Sequence, residues 1–277
     1  MSIDAHVHLW RLSRGDNVAI IPTMTAIYKD REPVDLKPLI DAAGVEHVVV
    51  VQAAETLAET LFTIGLARKY SWIAGIVAWV ELASPSVEEE LAALSWNPII
   101  KGVRPVRNDN RSIAWMLDNR LDPGFHALGD NSLSLDVLVQ NWREIPLATL
   151  LAKRWPGLAI VLDHCGKPDI TNGDFEPWAS HVDELASLPN VVCKLSGLLN
   201  CARRGADAAD VESYIKHVLD AFGPGRVMWG SDWPPLDLAS GYATWKDISD
   251  SALQALPDFQ RREVVERTAI RVYRLNC

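Results

Sequence analysis

Short apolar runs rich in β-branched residues recur along the whole chain, at Ile3–Leu9, Val48–Gln52, Ile73–Val80, Ile99–Val103, Leu133–Val139, Leu158–Leu162, Val191–Leu195 and Val227–Trp229. Most are separated by segments whose apolar residues fall three and four apart, among them Leu57–Tyr70, Val87–Leu94, Ile145–Arg154, Phe175–Leu188, Val211–Phe222 and Phe259–Leu275. That spacing is the period of a helix with one buried face, so strand and helix alternate. Eight strands with intervening helices can close into a (β/α)8 TIM barrel. An open doubly wound sheet usually has fewer strands and often a GxGxxG phosphate loop, and none follows the first run here. The chain is therefore expected to be α/β, with residues 1–277 forming one barrel domain.

Boundary residues agree with this layout. Ser84-Pro85 suits an N-cap and first helical position, and Gly44 and Gly157 stand where helices should stop. The stretch from Arg104 to Leu133 lacks a clear period and is expected to be a long loop with short helices over the active-site mouth. No linker or internal repeat divides the chain.

Composition narrows the classes of function. With 48% hydrophobic and 23% charged residues, the chain can bury a large core. A formal charge of −9 removes long-range attraction to nucleic acid or to an anionic membrane, although Arg104, Arg107 and Arg111 could hold a small anion locally. The four cysteines show no CxxC spacing, which favours a reducing, cytoplasmic home. No apolar run approaches the ~20 residues of a membrane span, and MSIDAHVHLW lacks the basic and apolar regions of a signal peptide.

The candidate chemistry begins at Asp4-Ala5-His6-Val7-His8. Side chains alternate along a strand, so His6 and His8 share a face, where two imidazoles can bind one divalent metal. Polar residues close other strands: Gln52, Arg104, Asp163-His164, Lys194 with Ser196, and Ser231-Asp232. In a (β/α)8 barrel the carboxyl ends of the strands form the active-site face, so these groups should converge. Asp232 could be a metal ligand, a general base toward water, or both, and the base role is preferred. His164 could bind metal, orient water or polarise a carbonyl. Arg104, Lys194, Gln52 and Trp10 are candidate substrate-binding residues, Arg104 through its planar fork. Cys165 reads as a buried filler, and the remaining tryptophans as core or as subunit contacts that would allow a homo-oligomer.

At these residues the sequence resembles the amidohydrolase superfamily, and within it the branch of sugar-acid lactonases. The resemblance spans nearly the whole chain through DAHVHLW at Asp4–Trp10, GIVAWVEL at Gly75–Leu82, Gly102-Val103-Arg104, LDHCGKP at Leu162–Pro168, KLSGL at Lys194–Leu198 and MWGSDWP at Met228–Pro234. It implies a barrel with the HxH pair facing a metal site, an aspartate after the eighth strand that activates water, and a histidine from the sixth strand nearby. Members resembling rhamnono- and fucono-lactonases use one divalent metal, and others resembling pyrone-dicarboxylate hydrolase use none. Binuclear relatives carry a carboxylated lysine on the fourth strand and a histidine ending the fifth. The run Leu133–Val139 has no histidine, and Lys101 should face away from Arg104, so at most one metal is expected.

The resulting expectation is a hydrolase that opens a sugar-acid lactone by water attack, with Asp232 and His164 catalytic, and one divalent metal, zinc by preference, at His6, His8 and Asp232. A metal-free pyrone hydrolase, a metal-dependent decarboxylase and a non-catalytic sugar-acid-binding barrel stay open as alternatives.

Overall fold

Each strand is built around apolar, largely β-branched residues, with single charged residues set into β1, β4, β5 and β7, and pairs in parallel with its sequence neighbours. The computed structural model describes residues 1–106 and 112–277; Arg107 and Arg111 lie outside the described residues. The strands are β1 (Ile3–Val7), β2 (His47–Val51), β3 (Ile73–Ala78), β4 (Ile100–Val103), β5 (Ser134–Val137), β6 (Ile160–Leu162), β7 (Val191–Leu195) and β8 (Val227–Trp229), in the order β1 to β8 across one sheet. The ring closes just beyond the ends of β1 and β8. There Val7 bridges Trp233 in parallel, His8 N donates to Trp233 O over 2.7 Å, and Asp232 N donates to His6 O over 2.9 Å.

The outer layer consists of α1 (Pro33–Ala42), α2 (Leu57–Ala67), α3 (Val87–Ser95), α4 (Asp122–Asp130), α5 (Ile145–Arg154) and α6 (Phe175–Ala186). It continues with the single turn α7 (Leu198–Cys201), then α8 (Ala208–Phe222), α9 (Tyr242–Leu253), α10 (Asp258–Arg262) and α11 (Thr268–Tyr273). Val48 and Val50 pack outward in one core cluster with Leu36 and Ile40 of α1. Val49 and Val51 belong to a second cluster with Ile3, Val77, Val161, Met228, Tyr273 and Leu275. Residues of alternating parity thus fill two separate layers, as the period of a strand requires. Each fully buried aliphatic side chain contributes about 1.5–3 kcal/mol to holding them.

Two expectations need correction. The stretch between Arg104 and Leu133 holds 3-10 turns at Ile113–Leu117 and Asn119–Leu121, and also the regular barrel helix α4, which buries Phe125, Ala127 and Leu128. Two glycines and a proline in DPGFHALGD hide that helix from its pattern. The helix after Ser84-Pro85 starts two residues later than expected, with Ser86 as N-cap residue, and Glu90 accepts hydrogen bonds from both Ser84 Oγ and Ser86 Oγ. Phe259–Leu275 is helical as expected through Tyr273, with a π turn at Glu263–Arg267 set between α10 and α11 in one continuous run. The wider turn brings Val264 and Ala269, five apart, into burial together with Tyr273.

Candidate active site

His8 directly follows β1, Gln52 follows β2, Arg104 follows β4, His164 lies two residues past β6 and Asp232 three past β8. All five therefore open on the carboxyl end of the barrel. The register of β1 slips by one residue against β2, since Asp4 lies opposite Val48 and Val7 opposite Val50. This bulge splits two groups that regular alternation would put on one face. Asp4 turns outward and accepts from Tyr242 Oη of α9 and from Ser231 N, each at 2.8 Å. His6 turns inward, 3.1 Å from Lys194 Nζ. Gly230 permits the close approach of β8 here, because a Cβ on it would stand 2.9 Å from His6 Cβ.

The inward imidazoles meet at one carboxylate oxygen. Asp232 Oδ1 is 3.7 Å from His6 Nε2, 3.5 Å from His8 Nε2 and 3.8 Å from His164 Nε2, and the nitrogens of His6 and His8 are 3.1 Å apart. A tetrahedral ion with ligands at about 2.0–2.2 Å needs its ligand atoms roughly 3.3–3.6 Å apart, so the spacing of His6, His8 and Asp232 suits one. The proton position of His8 agrees. His8 Nδ1 lies 2.9 Å from Val51 O, a carbonyl that can only accept, so Nδ1 carries the hydrogen and Nε2 keeps its lone pair toward Asp232 and His6. Donors stand beside both ring nitrogens of His6, Lys194 Nζ 3.1 Å from Nδ1 and Arg104 NH1 3.4 Å from Nε2. These residues can hold a metal ion.

Electrostatics keep the bases unprotonated. Burial alone would raise the Asp232 pKa, but the surrounding imidazoles of His164, His8 and His6 outweigh it and hold the carboxyl below its usual range. Burial pushes His164 down to about 4, and burial together with Lys194 pushes His6 well below the usual imidazole value. Asp232 itself has a left-handed backbone with φ of 60°, which aspartate tolerates better than most residues. Its second oxygen accepts from Asn200 Nδ2 at 3.4 Å. His164 shares the left-handed region, with φ of 54°. Its Nδ1 meets Ser196 Oγ at 2.9 Å, and a Cβ on Gly197 would strike the ring at 2.8 Å, so this position favours glycine.

Beneath the histidines lies a sealed layer of charge. Lys194 Nζ contacts Asp136 Oδ2 at 2.6 Å and Asp163 Oδ1 at 3.1 Å, with all three side chains at 0% exposure. Tyr273 Oη donates to Asp136 Oδ2 over 2.7 Å, and Arg104 NH1 pairs with Asp163 Oδ2 at 3.1 Å. Burial opposes ionisation of Asp163, yet Lys194, His6 and Arg104 hold its carboxyl well below the usual range. Burial outweighs the pull of Lys194 at Asp136, whose pKa is raised.

This layer changes the expectation for Lys194, which is sealed under the cavity with both carboxylates rather than presented to a ligand. Arg104 and Gln52 clasp each other, Arg104 NH2 donating to Gln52 O over 2.8 Å and Gln52 Nε2 to Arg104 O over 3.0 Å. Trp10 is buried, with Nε1 donating to Lys29 O over 2.8 Å. Lys101 sends its ammonium to Arg274 O, 2.9 Å away in the C-terminal segment. A cavity of about 490 Å³ opens over His8, Arg104, His164 and Asp232, with Lys167 and Asn200 also on its wall. Sequence reasoning singled out neither Asp136 nor Asn200, and noted Asp163 without a role. An acidic residue inside an apolar strand run was the available signal for Asp136.

The amidohydrolase family profile matches residues 3–275. An L-fucono-1,5-lactonase of Burkholderia ambifaria is 39% identical over 246 residues, covering 88% of this chain and 84% of that protein. An L-fucono-1,5-lactonase of Burkholderia multivorans is 35% identical, covering 99% and 96%. The crystal structure of an amidohydrolase from Burkholderia multivorans with bound zinc superposes over 100% of both chains, with a TM-score of 0.93 at 33% identity.

Proposed function

Because this chain belongs to the amidohydrolase family, we propose that it hydrolyses the lactone ring of a sugar acid, a cyclic ester of the kind named in its lactonase relatives. The observation that carries this reading is the meeting of three imidazoles and one ionised carboxylate at the floor of an open cavity. His6, His8 and Asp232 would hold one divalent metal, zinc in the first instance, and that ion would supply Lewis acidity toward the ester carbonyl and toward water. Asp232 takes a proton from the attacking water, a task for which its depressed pKa keeps it ionised at neutral pH. Asn200 orients that carboxylate. Water oxygen bonds to the acyl carbon, the ring C–O bond breaks, and the proton held by Asp232 passes to the departing alkoxide, which leaves an open-chain hydroxy acid. His164, neutral with Nδ1 tied to Ser196, has Nε2 on the same side as Asp232 and steadies the water or the carbonyl. Lys194 and Asp163 act through His6, and Arg104 stands where the hydroxyls or carboxylate of the substrate would lie.

A pH-indicator assay over sugar-acid 1,5- and 1,4-lactones tests this directly. One proton is expected per ring opened, with activity lost in chelator and restored by Zn2+. Turnover of none of these lactones, or release of carbon dioxide from an aromatic acid in their place, would overturn the reading.

A further inference from the structure

The left-handed turn that carries His164 extends three residues further. Backbone φ is 54° at His164, 51° at Cys165, 71° at Gly166 and 49° at Lys167, and Lys167 N donates to His164 O over 2.9 Å, which closes the turn. Left-handed backbone costs about 1–2 kcal/mol for each residue with a Cβ, and such cost gathers where a side chain has a task. In a turn of this span, residues three apart lie on the same side. His164 and Lys167 accordingly both line the main cavity, and Lys167 O accepts from Trp142 N over 3.2 Å, tying the turn to the segment after β5.

Lys167 differs from its neighbours in how its charge is met. Arg104 and Arg143 stand on the same wall and pair with Asp163 and Asp174. Asp169, two residues past Lys167, accepts instead from Asn172 N and Nδ2, at 3.2 and 2.8 Å. Among the described residues the Lys167 ammonium has neither a carboxylate within ion-pair distance nor a hydrogen-bond acceptor. The residue is half-buried rather than sealed, and its charge is felt along the cavity wall. Burial lowers the His164 pKa and Lys167 adds to that, while burial raises the Cys201 thiol to about 12 and Lys167 opposes the rise. Both His164 and Cys201 line the cavity.

Lactone opening creates charge where there was none. The ester is neutral, negative charge builds on its acyl oxygen as water attacks, and the product keeps that charge as a carboxylate. We propose that Lys167 receives it, the ammonium donating to an acyl oxygen in the transition state and to the carboxylate of the opened product. The neutral ester gains least from this contact, so it favours the transition state over the substrate. The inference rests on the proposed lactone opening and assigns a further residue to its acyl end.

The test compares zinc-loaded wild type with Lys167→Met, which keeps the length of the side chain and removes the charge, and with Lys167→Arg, which keeps the charge. All three residues carry a Cβ and make the same demand on the left-handed backbone, and circular dichroism checks that each protein is folded. Calorimetry measures L-fuconate, the opened acid, beside L-fucitol, which has a hydroxymethyl group where fuconate has its carboxylate. Lys167→Met is expected to weaken fuconate relative to fucitol about 10-fold and to lower kcat/KM for L-fucono-1,5-lactone about 10-fold, the scale of one lost charge-assisted hydrogen bond. Lys167→Arg should stay within about threefold of wild type on both. Either change within twofold of wild type in Lys167→Met overturns the proposal, because a purely structural lysine would affect fuconate and fucitol alike. If wild type opens no lactone, the lactone-opening reading fails by itself, and the calorimetric comparison, which needs no turnover, decides on Lys167 alone. Absence of fuconate binding by wild type also overturns the assignment.

Discussion

At the carboxyl end of the barrel the strands run out into His8, Gln52, Arg104, His164 and Asp232, while toward its other end Ile3, Val49, Val77, Val161 and Met228 close on Tyr273 and Leu275. The backbone differs as sharply as the side chains. Among the described residues, six other than glycine have a left-handed backbone, and His164, Cys165, Lys167 and Asp232 of these lie in two turns at the mouth. Such conformations persist only where surrounding structure fixes them. Here the charged layer of Asp136, Asp163 and Lys194, and the apolar plug on its far side, provide that support. One end of the fold is spent on placing groups and the other on stability, so substitutions at the two ends should fail in different ways.

The largest effect is expected at the mouth. Asparagine tolerates the left-handed backbone of Asp232 as well as aspartate does, so Asp232→Asn should unfold at nearly the wild-type temperature while lactone turnover drops about 1000-fold, the scale of a lost general base. A steady-state assay beside a thermal melt checks both, and a variant that keeps a tenth of its turnover would erase the contrast. The next effect belongs to the sealed layer. Lys194→Met removes the cation shared by two buried carboxylates, leaving Asp163 with Arg104 and Asp136 with no cation, and should cost about 3–5 kcal/mol in urea unfolding. Adding Asp136→Asn should recover part of that loss, and stability unchanged by Lys194→Met would show that the layer supports nothing.

A smaller effect sharpens the comparison through pH. The unfolded chain takes up a proton at His164 near pH 6.5, which the folded protein refuses until about pH 4. Stability from this group is therefore present above 6.5 and lost as pH falls toward 4, by at most about 3 kcal/mol. Asp4 and Glu59 are raised by burial to about 6 and about 7 and carry the opposite sign. The difference between wild type and His164→Asn, both in chelator, isolates the histidine. Parallel curves for the two proteins from pH 7 to 4 would remove it.

Much of this was legible in the residues. The eight strands lie within or beside the apolar runs that announce them, and His6, His8, His164 and Asp232 meet as strand-end position implied. The helices α4 and α9 were not legible, since glycine and proline in the first and a thin apolar stripe in the second hide their period. Nor was the role of Asp136 or Lys194 apparent, because a charge within a strand looks alike whether it faces substrate or a buried partner.

Periodicity and strand-end chemistry are local properties, and they were enough to fix the class of fold and the end of the barrel where polar groups gather. The bulge that turns Asp4 outward and His6 inward and the burial of Lys194 between two carboxylates depend on residues far apart in the chain. Those were decided only when the ring closed, because the cost of burying a polar group is set by which partners arrive beside it.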